Sequence, residues 1–339
     1  MFLNRGTVND ELWQTSKTDM NHYYLSADGG GSKLAVMLFD DQMKLLGSGK
    51  SGPVNPRFVP MQMVHDNMIS SIEQCLQRQK ISSLSNLYIS MPGPADLFAS
   101  LLGQKIQLDK TTRLSEGEMA LLAGRYADRG IVALAGTGSG VFNVNGEQST
   151  HIGGWGALFD DEGSGYAIGT AAINAAIKSF DRRGRRTMLE KTVVEHFQLE
   201  NLSSIIEHVY GSANYRGIIA SLTVTVLRTA DRGDRTARSI MQKAGYQMAG
   251  QVITLIRRDH LPPDQTVMVA GSVWKGNAYM FDAFSNRLKE KYPKMQLAFP
   301  VFEPVVGGAV KACRQLSKTI DNSTINCLTS EFMQYLYKF

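Results

Sequence analysis

Two glycine-rich clusters carry the residue types that hold phosphate. DGGGSK at Asp28–Lys33 follows the apolar run YYLSA (Tyr23–Ala27), and GTGSG at Gly136–Gly140 follows IVALA (Ile131–Ala135). A backbone without Cβ lets its N–H groups approach phosphate oxygens, which need many donors and tolerate little bulk. Gly29, Gly30, Gly31, Ser32 and Lys33 would form one cradle; Gly136, Thr137, Gly138 and Ser139 would form the other. Each cluster taken singly reads equally well as a hairpin turn. Their repetition, each at the end of an apolar strand and each with a hydroxyl residue, favours two cradles on the β and γ phosphates of one nucleotide. An acid beside a phosphate is costly unless a cation intervenes, so Asp28 is the candidate for Mg2+, held directly or through water.

A third glycine cluster, GSGKSG at Gly47–Gly52, resembles the end of a P-loop only superficially. The pattern GxxxxGK[ST] needs glycine at position 44, which is Lys44, and a helix after Ser51, where Gly52 and Pro53 stand instead. The densest polar cluster is HIGGWGALFDDEGSGYAIG at His151–Gly169. An aromatic face there can stack on the apolar side of a sugar ring while carboxylates accept bonds from its hydroxyls. The competing explanation is that Asp160, Asp161, Glu162 and Ser164 only cap the helix that follows.

The elements that must position these residues follow from periodicity. LAVMLFD (Leu34–Asp40) and KLLGSG continue the first strand as a hairpin and a third strand; 61–79 has helical spacing; LYISM (Leu87–Met91) is a strand stopped by PGP. Strand, glycine turn, strand recurs from Ile131, as a pair of similar lobes would produce. Residues 165–260 are mostly helical, TVMVAGSVW (Thr266–Trp274) is a further strand-to-glycine junction, and Ala278–Lys291 is a helix. The expected organisation is a leader at 1–21, an N-terminal lobe at 22–125, a C-terminal lobe at 126–316 and a tail at 317–339.

Composition narrows the function classes. The chain of 339 residues is 43% hydrophobic and 20% charged, an ordinary globular profile, with a net charge of +5. Its densest basic run, DRRGRR at Asp181–Arg186, lacks the aromatic interleaving or helix-turn-helix of a nucleic-acid binder. No stretch approaches the roughly 18 consecutive apolar residues of a membrane span, and no signal-peptide core opens the chain. Cys75, Cys313 and Cys327 lie far apart, with neither zinc-ligand nor disulfide spacing, so a reducing cytoplasm is the expected compartment.

In DGGGSK, in AGTGSG followed by GGWGALFDDEGSG, in VAGSVWK (Val269–Lys275) and in FEPVVGGAVKA (Phe302–Ala312), the chain resembles the N-acetylglucosamine kinase family. That family lies within the BadF/BadG/BcrA/BcrD ATPase group of the actin, hexokinase and Hsp70-like superfamily. The resemblance covers roughly residues 23 to 316 and implies a duplicated, ribonuclease H-like α/β fold of two lobes with the active site in the cleft between them. It implies ATP and Mg2+ as cofactors, with Ser32 and Thr137 at the phosphates and Gly271, Ser272 and Ala230 near the adenosine. Asn55, Gly154, Trp155 and Asp161 would contact the sugar. Family enzymes usually carry a catalytic aspartate in a motif such as NDA or TDA; here Ser115-Glu116-Gly117 stands at that place, so Glu116 is expected as general base and sugar contact. The implied reaction is transfer of the ATP γ-phosphoryl to O6 of an amino sugar such as N-acetylglucosamine.

Expected partners are that small molecule and a second copy of the chain as a homodimer, with no nucleic acid or membrane. Two rival functions share the fold. An iron–sulfur ATPase activator would need a compact cysteine motif, which is missing. A non-catalytic sugar sensor is suggested by Glu116 in place of aspartate, although too few residues precede Asp28 for a DNA-binding module.

Overall fold

A computed structural model describes residues 22–146 and 148–339; the expected leader at 1–21 lies outside the described residues. The first half runs β1 (Tyr23–Gly29), β2 (Leu34–Asp40), β3 (Leu45–Ser51), α1 (Met61–Leu76), β4 (Ser83–Leu84), β5 (Asn86–Ser90), α2 (Ala95–Gly103), β6 (Gln107–Leu108), β7 (Thr111–Arg113) and α3 (Glu116–Arg125). The second runs β8 (Arg129–Ala135), β9 (Ser139–Asn145), β10 (Gln148–Ile152), helices α4 (Gly165–Phe180), α5 (Leu189–Phe197), α6 (Ile205–Tyr210), α7 (Tyr215–Asp231) and α8 (Arg235–Arg258), then β11 (Thr266–Ala270), α9 (Ala278–Lys291), β12 (Gln296–Ala298) and α10 (Gly307–Gln315). A last helix, α11 (Asn322–Glu331), follows.

The duplication expected from the glycine turns is explicit in the topology. One sheet has the order β3-β2-β1-β5-β7 and the other β10-β9-β8-β11-β12. In each, the first three strands form an antiparallel meander and the last two add in parallel to the first. Strands buried on both faces read as apolar runs rather than alternations: β5, NLYIS, is buried at every position. The false P-loop is β3, and its glycines serve packing. A Cβ on Gly47 or Gly49 would lie 2.1 or 2.0 Å from the carbonyl oxygens of Cys75 and Ser71, so α1 rests directly on the strand backbone, while Lys50 stays exposed.

The helix that ends each half packs on the sheet of the other. α3 contacts β8, β9 and β11, α10 contacts β1 and β5, and the two helices pack against each other. Glycines permit the approach. A Cβ on Gly117 would lie 2.5 Å from the Phe142 Cβ, one on Gly307 2.2 Å from the Met119 carbonyl oxygen, and one on Gly308 2.2 Å from the Ser26 hydroxyl. The crossing is closed by a buried ion pair, Lys311 Nζ to Glu118 at 2.9 Å. Behind α10, Phe302, Val305, Val306, Leu328 and Phe332 join Tyr24, Met37, Phe39 and Tyr88 in one apolar core, so the end of the chain covers the first sheet. Among the described residues no helix is long and apolar enough to cross a membrane.

Gly307→Ala places a methyl against a backbone oxygen that cannot move alone, so it should cost about 1–3 kcal/mol of stability. Gly103→Ala, where a Cβ meets nothing within 4 Å, should be neutral or slightly stabilising. Thermal denaturation of the two variants checks the contrast; an unaffected Gly307→Ala protein would contradict the close crossing.

Candidate active site

The two glycine turns sit at equivalent places, between β1 and β2 and between β8 and β9, and they meet across the cleft. A Cβ on Gly31 would lie 3.8 Å from Thr137. The first turn is closed by Gly30 N–H donating to the Lys33 carbonyl at 2.9 Å, with Ser32 exposed at its tip. Gly29 has no room for a side chain, because its Cβ would lie 2.7 Å from Val54 and 2.8 Å from Met91. The second turn is closed by Gly136 N–H to the Gly138 carbonyl at 2.8 Å, and it anchors the start of α4 through Gly165 N–H to the Gly136 carbonyl at 2.8 Å. Ser139 Oγ donates to the Glu162 carbonyl at 2.8 Å, which spends that hydroxyl on loop geometry.

Three carboxyl groups converge on the cleft. Asp28 lies at the end of β1, opposite Ser90 of β5. Burial, with Glu303 adding to it and Lys33 opposing, raises its pKa to about 6. Glu116 is the first residue of α3, held there by the Ser115 hydroxyl, which accepts from Glu118 N–H at 3.1 Å. Burial first, then the charges of Asp28 and Asp161, raise it to about 7. Glu118, the neighbouring acid, is committed to Lys311 and takes no part in the cleft.

Asp161 is 2% exposed, sits at φ 76° and pairs with the buried Arg216 at 2.5 Å. Capping therefore falls to Ser164, whose side chain accepts from Ala167 N–H at 3.0 Å, and not to Asp161. The Asp161 carboxylate abuts the second glycine turn, 3.3 Å from where a Gly138 Cβ would be. Arg216, from α7, also lies over the Phe58 ring, 3.6 Å from its centroid, and so reaches the first lobe. Phe58 belongs to the same turn as Asn55, which is 6% exposed and accepts from Arg57 N–H at 3.1 Å through Oδ1. Asn55, Asp161 and the second glycine turn are thus joined through Arg216 and Phe58. Gly154 has φ 76° and Trp155 is 75% exposed, on a loop that also exposes Leu158 and Phe159.

Lys33 and Lys275 both bind Glu303, Lys33 at 3.2 Å, which ties the first glycine turn to the segment that begins at Gly271. Burial pushes Glu303 up, but the two lysines outweigh it and hold the carboxyl below its usual value. Gly271 has φ 102°, and a Cβ there would lie 2.3 Å from the Ala135 carbonyl, so only glycine fits; Ser272 beside it is exposed. Ala230, by contrast, is fully buried in the core of the second lobe. Sequence reasoning missed Arg216, Phe58, Glu303 and Lys275. Phe58 and Glu303 lie within PVNPRF and FEPVVGG and Lys275 closes VAGSVWK, whereas Arg216 has no motif around it.

With paired sheets and facing turns, the fold is that of the actin-like sugar kinases. A Porphyromonas gingivalis protein proposed to be an N-acetylglucosamine kinase superposes with a TM-score of 0.67 at 18% identity, over 87% of this chain and 99% of that one. A ROK family glucokinase from Streptomyces griseus, solved with glucose and AMPPNP, superposes with 0.52 at 14% identity, over 86% and 98%. The chain belongs to the BadF/BadG/BcrA/BcrD ATPase family, whose profile matches residues 27–312, and it is an ATP-dependent carbohydrate kinase. The N-acetylmuramic acid/N-acetylglucosamine kinase of Clostridium acetobutylicum is 30% identical over 284 residues, 81% of this chain and 93% of that relative. The N-acetyl-D-glucosamine kinase of Dictyostelium discoideum is 23% identical over 316 residues, 85% and 97%.

Burial pushes the Asp161 carboxyl above its ordinary value and Arg216 opposes it. Arg216→Met should therefore cost about 3–5 kcal/mol near neutral pH by leaving a buried carboxylate alone. The loss should shrink as pH falls and Asp161 takes up a proton, because a raised acid pKa favours the folded state only below that pKa. Denaturation midpoints at pH 5 and 8 check this; a loss equal at both pH values would contradict the pairing.

Proposed function

We propose that the protein phosphorylates an amino sugar, N-acetylglucosamine foremost, at O6, with Glu116 as general base. The observation that carries this is a carboxyl of near-neutral pKa at the start of α3, coupled to Asp28 and Asp161 where two glycine turns meet. A base is most effective when its pKa lies near the working pH, and burial beside two acids brings Glu116 there. The names of the curated relatives support an amino sugar as substrate.

The residues assign themselves to roles by chemistry. Backbone N–H groups of Gly31, Ser32, Thr137 and Gly138, left free by the bonds that close each turn, suit the phosphates, with Lys33 and Lys275 as compensating charge. Gly271 and Ser272 line the adenosine side. Among the described residues no group of three His, Cys, Asp or Glu side chains is placed to hold a metal ion together. Asp28, near the end of β1 where the first glycine turn begins, would hold Mg2+ directly or through water. When bound, Mg2+ neutralises charge on the transferring phosphoryl. On the sugar side Asp161, fixed by Arg216, accepts from a hydroxyl, Asn55 and the Gly154 backbone orient the ring, and exposed Trp155 offers it a stacking face. Glu116 then takes the proton of the attacking hydroxyl.

Glu116→Gln keeps size and removes basicity. Turnover should fall by roughly 10²–10⁴-fold while the sugar KM changes much less. In the parent enzyme kcat/KM for the sugar should rise with pH through a limb near 7, the value to which Glu116 is raised, because the ionised form is the active one; the Gln variant should lose that limb. Steady-state kinetics across pH 5.5–8.5 measure both, and a Gln variant turning over at the parent rate would remove Glu116 from the role.

A further inference from the structure

The chain continues past the family match, which ends at residue 312, and this extension reaches both lobes. Its first part is fixed to the first sheet. Leu45 N–H donates to Glu331 at 3.1 Å, and the Phe332 ring meets Phe39 edge-on at 6.2 Å between centroids. Its last residues cross to the other lobe alongside residues 301–303. Glu303 N–H donates to the Tyr335 carbonyl at 2.8 Å, and Tyr337 N–H donates to the Val301 carbonyl at 2.9 Å. Phe339 then packs on Phe299, with centroids 3.9 Å apart, and on Phe281 of α9.

Tyr337 lies where this strap passes the nucleotide side of the cleft. Its hydroxyl donates to the Gly271 carbonyl at 2.7 Å, and the Lys275 ammonium sits 4.6 Å from its ring centroid. Gly271 occupies a backbone conformation that only glycine adopts easily, and its neighbour Ser272 is exposed. The Tyr337 hydroxyl is the hydrogen-bond donor that fixes the direction of the Gly271 carbonyl. The same side chain orients Lys275, which Glu303 ties to Lys33 of the first glycine turn.

We propose that Tyr337 is a positioning residue for ATP: the C-terminal strap holds the Gly271–Lys275 segment in the geometry that receives the nucleotide. This rests on the assignment of Gly271 and Ser272 to the adenosine side. Loss of the hydroxyl in Tyr337→Phe should raise the KM for ATP roughly fivefold. Tyr337→Leu, which also removes the ring beside Lys275, should raise it about tenfold or more. In both, kcat and the sugar KM should stay within about twofold of the parent.

The test is steady-state kinetics with ATP and sugar varied in turn, with thermal denaturation of each variant and a parallel Ser272→Trp enzyme. An unchanged ATP KM in the Phe and Leu variants overturns the inference. So does a parallel loss in kcat and both KM values with a fallen melting temperature, which marks a strap that only stabilises. Ser272→Trp separates the two failures. If it raises the ATP KM while the Tyr337 variants do not, the strap alone is excluded; if it leaves the ATP KM unchanged, the adenosine assignment falls and the inference with it. Should Tyr337→Leu fail to fold, Tyr337→Phe decides.

Discussion

The crossing of α3 and α10 is the constraint on which the rest depends. Each of these helices closes one half of the duplicated chain and packs on the sheet of the other half. The approach is possible only because Gly117, Gly307 and Gly308 leave no side chain at the contacts, and Glu118–Lys311 satisfies the charges buried there. Glu116 is the first residue of α3, one position before Gly117. The reach of the proposed base into the cleft is therefore set by the same packing that joins the lobes.

Electrostatics in the cleft follow from that geometry. Asp28, Glu116 and Asp161 are brought together in partial burial, which would be costly without compensation. Asp161 has its own cation in Arg216, and Glu303 has two in Lys33 and Lys275. Asp28 and Glu116 keep raised pKa values, about 6 and about 7. The acids thus divide into a compensated group that builds the walls and a less compensated pair that suits cation binding and proton transfer.

Most of the local structure was legible because local signals dictate it. Apolar runs ending in glycine marked β1 and β8, and helical periodicity marked α1, α8 and α9. The duplicated sheet order was foreshadowed by the repeated strand, glycine turn, strand. What lay beyond reach depends on contacts distant in sequence. Nothing in GGAVKACRQ announces that α10 lies on β1, and nothing around Arg216 points to Asp161, 55 residues away. Ala230 was expected at the nucleotide from motif resemblance alone; it lies at the buried end of α7, where the helix faces the core. Glu118 stands two residues after Glu116, yet positions i and i+2 of a helix point apart, and it turns toward Lys311.

The most direct measurement is the identity of the product. Purified protein is incubated with ATP, Mg2+ and N-acetylglucosamine, and the mixture is followed by phosphorus NMR, with carbon–phosphorus coupling locating the new ester. The account predicts ADP and a sugar phosphate in equal amounts, with coupling to C6. ATP hydrolysis without a sugar ester, or an ester at C1, would contradict it.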